Sequence, residues 1–87
     1  MPEVSRFYGI LIKMNWNDHL PPHFHAEYGE HEATFDFEGN VINGNLPPKQ
    51  TKFVGAWANL YNDELIASWE LLKANKKPLD ILPLRRD

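Results

Sequence analysis

The chain of 87 residues contains no cysteine, so a disulfide framework and a thiolate metal site are both excluded. No apolar run approaches the roughly 20 residues that a membrane-spanning helix needs, and the first residues lack the apolar segment of a secretory signal. The chain also has fewer basic than acidic residues, nine against twelve, which gives a formal net charge of −3. Nucleic-acid binding through broad electrostatics is therefore not expected, although a local basic patch is compatible with this balance. We expect a cytoplasmic protein with no membrane segment.

The motifs of several enzyme classes are missing as well. The sequence holds no glycine-rich phosphate loop, no nucleophile elbow and no H-E-x-x-H helix. Its length and its hydrophobic fraction of 43% predict one soluble globular domain over residues 1–87. Whether that domain is an enzyme is left open by these absences.

The first half of the chain has the two-residue period of β-strands. A first strand is expected over residues 4–16, with alternate apolar residues from Tyr8 to Met14 on one face. Phe7 and Leu11 fall on the other face, so this strand is expected to be central in the sheet. A short fourth strand is expected at residues 41–42. The first half is therefore predicted to be an antiparallel meander.

Residues 23–28 and 31–37 both alternate, and Gly29-Glu30 between them suits a two-residue type II′ hairpin loop. Counting outward from this loop pairs Tyr28 with His31 and His23 with Asp36. In that register every apolar side chain meets an apolar or aromatic partner, and a slip by one residue would turn every side chain to the wrong face.

The second half changes to a helical period after Pro47-Pro48, a pair that suits the first turn of a helix. Asn62-Asp63 is expected to cap a second helix, with one long bent helix as the alternative. Trp57 and Trp69 are expected in the core, and residues 78–84 form an extended tail that is a candidate edge strand. The predicted fold is α+β: a small antiparallel sheet of three to five strands, packed by one or two C-terminal amphipathic helices.

The most unusual stretch is NDHLPPHFH at residues 17–25, which holds three of the four histidines within seven residues. Pro21 and Pro22 form a rigid lead-in to the strand because proline fixes φ. Alternation then places His23 and His25 on one face of the hairpin, together with Asp36. Any chemistry of the chain is expected here.

The opening PEVSRFYGI, this histidine–proline box, and the segment from Trp57 through residues 63–65 to residues 69–71 resemble a small prokaryotic family. It is known as domain of unknown function family 4160, and the resemblance covers nearly the whole chain. The resemblance implies a bacterial cytosolic protein with a small partner protein encoded nearby, and some members carry regulator or toxin–antitoxin labels. It assigns no catalytic residue to this chain.

Three hypotheses for the histidine box follow. In the first, His19, His23, His25 and Asp18 hold a divalent transition metal such as zinc, with Asp36 as an alternative carboxylate ligand. In the second, His23, His25 and Asp36 perform metal-free acid–base catalysis, for example in a small ribonuclease, with Lys13 or Arg6 stabilising developing charge.

In the third hypothesis the histidines are structural, and the polar face of the sheet binds another protein. The family resemblance favours one half of a two-gene regulatory or toxin–antitoxin-like pair as the function. A metal-dependent or histidine-based hydrolase is the alternative. The partner would be the small protein encoded nearby, and a homodimer is a further alternative.

Overall fold

A computed structural model describes residues 2–16 and 20–85 of the chain. Five strands precede two helices. The strands are β1 (Glu3–Phe7), β2 (Ile10–Lys13), β3 (His23–Tyr28), β4 (His31–Asp36) and β5 (Val41–Asn45), and the helices are α1 (Pro48–Leu60) and α2 (Asn62–Lys73). The five strands form one antiparallel sheet in the order of the chain. The predicted α+β meander followed by helices is confirmed.

The β3–β4 hairpin has the predicted register, with Tyr28 opposite His31 and His23 opposite Asp36. Gly29 has a φ of 57°, whereas Glu30 has no positive φ. This combination fits a type II′ turn, because a type I′ turn needs positive φ at both central residues. The alternation buries Phe24, whose ring stacks on that of its cross-strand partner on β4.

The expected single strand over residues 4–16 is wrong, because the chain reverses at Tyr8-Gly9 and forms the separate strands β1 and β2. A two-residue turn makes Phe7 and Ile10 cross-strand partners, so residues of opposite parity share one buried face. If β1 and β2 are taken for one continuous strand, this change of parity looks like burial on both faces of that strand. The sheet consequently has β1 at its edge.

The other edge of the sheet is β5, all five residues of which are exposed. Its pairing with β4 is irregular, since Thr34 pairs with Asn43 and Phe35 pairs with Val41. Gly44 has a φ of 69°, and its N–H donates to the side-chain oxygen of Asn43 at 2.9 Å. Irregular edges of this kind disfavour the addition of a further strand.

The helical half contains two helices, as expected, and α1 begins at Pro48. The break lies at Tyr61, which occupies the cap position of both helices with φ −112° and ψ 29°. The expected capping role of Asn62 is therefore wrong. Asn62 lies within α2, and its Nδ2 donates to the carbonyl oxygen of Phe37 at 2.7 Å, which ties the helical junction to the turn after β4.

The helices cover the face of the sheet that carries Ile10, Ile12, Phe24 and the other buried apolar side chains. Trp57 is fully buried at the centre of this core and Trp69 is almost fully buried, as expected from their helical spacing. In the described residues, neither helix is long and apolar enough to cross a membrane.

The tail after α2 runs back along the molecule. The backbone N–H of Ile81 donates to the carbonyl oxygen of Val4 on β1 at 2.8 Å. Trp57 Nε1 donates to the carbonyl oxygen of Leu82, also at 2.8 Å. The tail thus lies against the β1 edge, but it is not a regular strand, so the candidate edge strand is not formed in the described residues.

Candidate functional site

The predicted site lies at one end of the sheet, where β2 ends, β3 begins and β4 ends. The register brings His23 and Asp36 opposite each other and places His25 opposite Thr34. The rings of His23 and His25 meet edge to face with centroids 5.1 Å apart. His19 and Asp18 lie outside the described residues, so their places in the site remain predictions.

Hydrogen bonds hold the His25 ring on both of its nitrogen atoms. The Nδ2 amide of Asn15, after β2, lies 3.2 Å from Nε2, and Thr34 Oγ1 on β4 lies 3.4 Å from Nδ1. With the amide donating to Nε2, the neutral ring carries its proton on Nδ1 and donates it to the threonine hydroxyl. The lone pair that a metal ion or a substrate proton would need is therefore used by Asn15. In this arrangement His25 joins three segments of the sheet.

His23 holds the proline loop. Its Nδ1 lies 2.7 Å from the carbonyl oxygen of Pro21, an acceptor, so Nδ1 carries the proton that makes this bond. The ring also contacts Trp69 of α2, with centroids 5.7 Å apart. The indole N–H of Trp69 is buried and has no acceptor within the described residues. His23 therefore connects the loop, the sheet and α2.

The carboxylate of Asp36 closes the turn that follows β4. Oδ1 accepts the backbone N–H groups of Glu38 and Asn40, each at 2.9 Å, and Oδ2 accepts the Asn40 side-chain amide at 3.2 Å. Partial burial raises the pKa of Asp36, but the hydrogen bonds from Asn40, Glu38 and Gly39 outweigh this effect, and the pKa lies below its ordinary value. The cross-strand pairing with His23 is as predicted, whereas the carboxylate serves the turn.

No three histidine or acidic side chains within residues 2–16 and 20–85 are placed to hold a metal ion. Two of the four predicted ligands, His19 and Asp18, are not among these residues. The metal hypothesis therefore stays a prediction, and a metal bound to His25 would replace its hydrogen bond to Asn15 or to Thr34.

The basic residues proposed to assist catalysis are bonded to carboxylates. Lys13 Nζ lies 3.0 Å from Glu27 Oε2, which relieves the repulsion expected between the cross-strand neighbours Glu27 and Glu32. Arg6 pairs with Glu3 at 3.0 Å at the exposed edge. The hydrogen bond that Arg6 donates to the Glu3 carboxylate raises the pKa of Arg6. Both cations stabilise the sheet surface in this arrangement.

Beside the histidines lies an open groove of about 810 Å³. We call it the proline groove. Its walls are the proline loop, the turn after β4 and the junction of the two helices, and its lining residues are Pro21, Pro22, Asp36, Phe37, Glu38, Asn59, Asn62 and Ile66. Asn59 Nδ2 donates to the carbonyl oxygen of Glu38 at 3.3 Å, and with Asn62 it fixes the helices against the turn. The groove is apolar at Pro21, Pro22 and Ile66, amide-lined at Asn59 and Asn62, and acidic along the turn.

No motif in the sequence predicts this groove. Asn59 and Asn62 are polar residues near the end of one helix and the start of the next, a position that is also typical of caps. Ile66 follows the apolar spacing of the second helix, which predicts burial, but its side chain is 48% exposed beside the groove. No sequence signal marks Asn15, which orients His25, because the strand predicted over residues 4–16 includes it.

The fold and this site define a small α+β domain whose histidines brace a proline loop beside an open groove. The family model described as Domain of unknown function (DUF4160) matches residues 9–70. The chain therefore belongs to this family, as the histidine–proline box indicated. No curated protein and no solved structure is similar to the chain.

Proposed function

We propose that this chain is a protein-interaction module, one half of a two-gene regulatory or toxin–antitoxin-like pair, and that the proline groove receives the partner. The observation that carries this proposal is the bonding of the histidine box. His25 and Asp36 are held in structural hydrogen bonds, while the adjacent groove leaves Ile66 exposed between polar walls. Contiguous apolar surface with a polar rim marks protein-binding sites, and in this groove that surface is formed by Pro21, Pro22 and Ile66.

The charges of the groove favour a partner segment that is apolar and basic. Asp36 and Glu38 line one wall, and no lysine or arginine is among the lining residues. Asp36 is ionised at neutral pH, and the hydrogen bonds of its turn favour the charged form further by lowering its pKa. A partner lysine or arginine near these carboxylates would add electrostatic complementarity to the apolar contact with Ile66.

The hydrolase hypothesis makes a different demand on the same residues. It needs an imidazole that can take a proton from the substrate and a carboxylate that orients it. Here the orienting carbonyl for His23 is Pro21 O, and the Asp36 carboxylate is bonded within its own turn. A His23–Asp36 dyad would require the Asp36 carboxylate to leave the hydrogen bonds of its turn, so the geometry supports the interaction module better than a hydrolase built on that dyad.

The test combines the purified chain with the small protein encoded beside it and measures binding by calorimetry. We expect a 1:1 complex that Ile66→Lys weakens by roughly 10-fold or more, because a cation enters an apolar contact. Ala67→Lys is the matched control: it adds the same charge at the next exposed position of α2, outside the groove lining, and should bind like the wild type.

A separate measurement addresses the hydrolase. The chain alone is incubated with single-stranded RNA, and His23→Ala is compared with the wild type. RNA cleavage by the wild type that is lost in His23→Ala, with no complex formed by the neighbouring protein, would overturn the proposal in favour of the hydrolase.

A further inference from the structure

A second pocket lies at the opposite end of the sheet from the histidines. It has a volume of about 680 Å³. The β1–β2 turn contributes Tyr8, the end of β3 contributes Tyr28 and the first half of α1 contributes Phe53. The pocket is within the usual size range of small-molecule sites. It is separate from the proline groove and shares no lining residue with it.

Aromatic rings form the walls of this pocket. The rings of Tyr8 and Phe53 have centroids 5.0 Å apart and are tilted by 46°. Tyr28 lies against Gly9, where a Cβ atom would meet its ring at 3.3 Å. Tyr8 is 42% exposed, so part of the aromatic surface is open to a ligand. Such surfaces stack well on planar rings.

Tyr8 also adopts an unusual backbone conformation. Its φ is 50°, in the left-handed region that costs a residue with a side chain roughly 1–2 kcal/mol. Asparagine or glycine is the usual residue at this place in a two-residue hairpin turn. Contact with Phe53 offsets part of the cost, and the strained turn holds an aromatic ring at the pocket.

The charge of the pocket is opposite to that of the whole chain. Lys49 and Arg85 line it, Gln50 and Leu84 are the remaining lining residues, and none of the seven is acidic. Lys49 Nζ lies 5.9 Å from the centroid of the Phe53 ring, so positive charge stands directly beside the aromatic wall. This is the local basic patch that the net charge of −3 leaves room for.

We propose that this pocket binds a nucleotide, with its base against Tyr8 and Phe53 and its phosphate toward Lys49 and Arg85. A nucleotide carries a planar ring that matches the aromatic walls and, next to it, an anionic group that matches the two cations. The nucleotide is either a free mononucleotide or one residue of a single strand. Both sources present a base and a phosphate to the pocket. The proposal is independent of the partner-binding role.

The experiment titrates the purified chain with AMP and follows tyrosine and tryptophan fluorescence or amide chemical shifts. Adenosine and inorganic phosphate are titrated separately, and a short single-stranded oligonucleotide forms the fourth arm. We expect saturable binding of AMP that is roughly 10-fold tighter than that of either fragment, because each fragment makes only half of the contacts. Tighter binding of the oligonucleotide than of AMP would identify a strand as the source of the nucleotide.

Two variants of α1 make the assignment specific. Lys49→Gln removes the pocket cation and should weaken AMP binding about 3- to 10-fold. Lys52→Gln removes the same charge from an exposed position of the same helix that does not line the pocket, and it should leave the affinity unchanged. Equal losses in both variants would show diffuse charge attraction and overturn the proposal. Absence of AMP and oligonucleotide binding to the folded wild type would overturn it as well.

Discussion

The turn after β4 touches α1 at a contact between two glycines, and only one of them needs to be glycine. Gly39 has a φ of 91°, and a Cβ atom added to it would lie 2.9 Å from both Cα and O of Gly55. A Cβ atom added to Gly55 would lie 3.5 Å from the carbonyl oxygen of Gly39, an ordinary van der Waals contact. The same contact therefore predicts opposite effects for the two substitutions to alanine.

For Gly39→Ala, the left-handed backbone costs roughly 1–2 kcal/mol and the backbone clash adds about 1–3 kcal/mol. Alanine also lowers the conformational entropy of the unfolded chain, which stabilises the fold by roughly 0.4–1 kcal/mol. We expect a net destabilisation of about 2–4 kcal/mol, which corresponds to a fall in Tm of at least about 8 °C for a chain of this size. For Gly55→Ala, the higher helix propensity of alanine should stabilise the fold by roughly 0.5–1 kcal/mol.

Urea denaturation followed by circular dichroism measures both free energies of unfolding. Gly29→Ala serves as a control for the backbone term, because Gly29 has a φ of 57° and no atom lies within 4 Å of its added Cβ. It should lose only about 1 kcal/mol. If Gly39→Ala costs no more than Gly29→Ala, the close packing of the turn on α1 is not what positions this wall of the proline groove. A Gly55→Ala variant that is destabilised would refute the same reasoning from the helix side.

Two further predictions concern the turn and the core. Asp36→Asn should destabilise the fold by about 1 kcal/mol at neutral pH. Because the folded pKa of Asp36 is lowered, the advantage of the wild type is fully present above the unfolded pKa and is lost as the pH falls through the lower folded value. Urea titrations at a series of pH values check this, and a difference that persists unchanged at the acid end would contradict it. Trp57→Phe should cost about 2–4 kcal/mol, since it leaves a void in the core and removes the donor to Leu82. Hydrogen exchange should also show faster exchange at Ile81; an unchanged rate would mean that the indole does not hold the tail.

The β3–β4 hairpin could be predicted residue by residue because two independent signals agreed. The Gly29-Glu30 loop fixes the count, and the alternating apolar residues fix the face, so no neighbouring register satisfies both. The β1–β2 turn could not be found in the same way. Tyr8 is a poor residue for a left-handed turn position, and its aromatic side chain made it resemble part of a continuous strand.

The helical half shows a similar division. Apolar spacing predicted the helical half and the buried tryptophans, because the period of the stripe follows from the geometry of the helix. The break between the two helices was predicted from the Asn62-Asp63 pair, although Tyr61 occupies the cap position. The sequence could not predict that Asn62 reaches across to Phe37, since a capping bond and a bond to a distant carbonyl use the same side chain. Which bond forms depends on how closely the turn after β4 approaches Asn62 in the folded structure.

For the candidate site, sequence reasoning placed His23, His25 and Asp36 at the same end of the sheet. It could not choose their hydrogen-bond partners, which depend on side-chain rotamers and on Asn15 and Pro21. The aromatic pocket was missed for a different reason: Tyr8, Phe53 and Arg85 lie far apart in the chain and share no spacing that marks a motif.

The hydrogen bond between Ile81 and Val4 has a consequence for how the chain folds during translation. The meander joins neighbouring strands and can form as soon as each hairpin leaves the ribosome, since its contacts are local. The edge of β1 must wait until the tail has emerged, and so must the bond from Trp57 to Leu82. A nascent chain halted before residue 81 would therefore carry an unprotected strand edge and a core tryptophan without its acceptor, so it would be open to pairing with another strand until the tail docks.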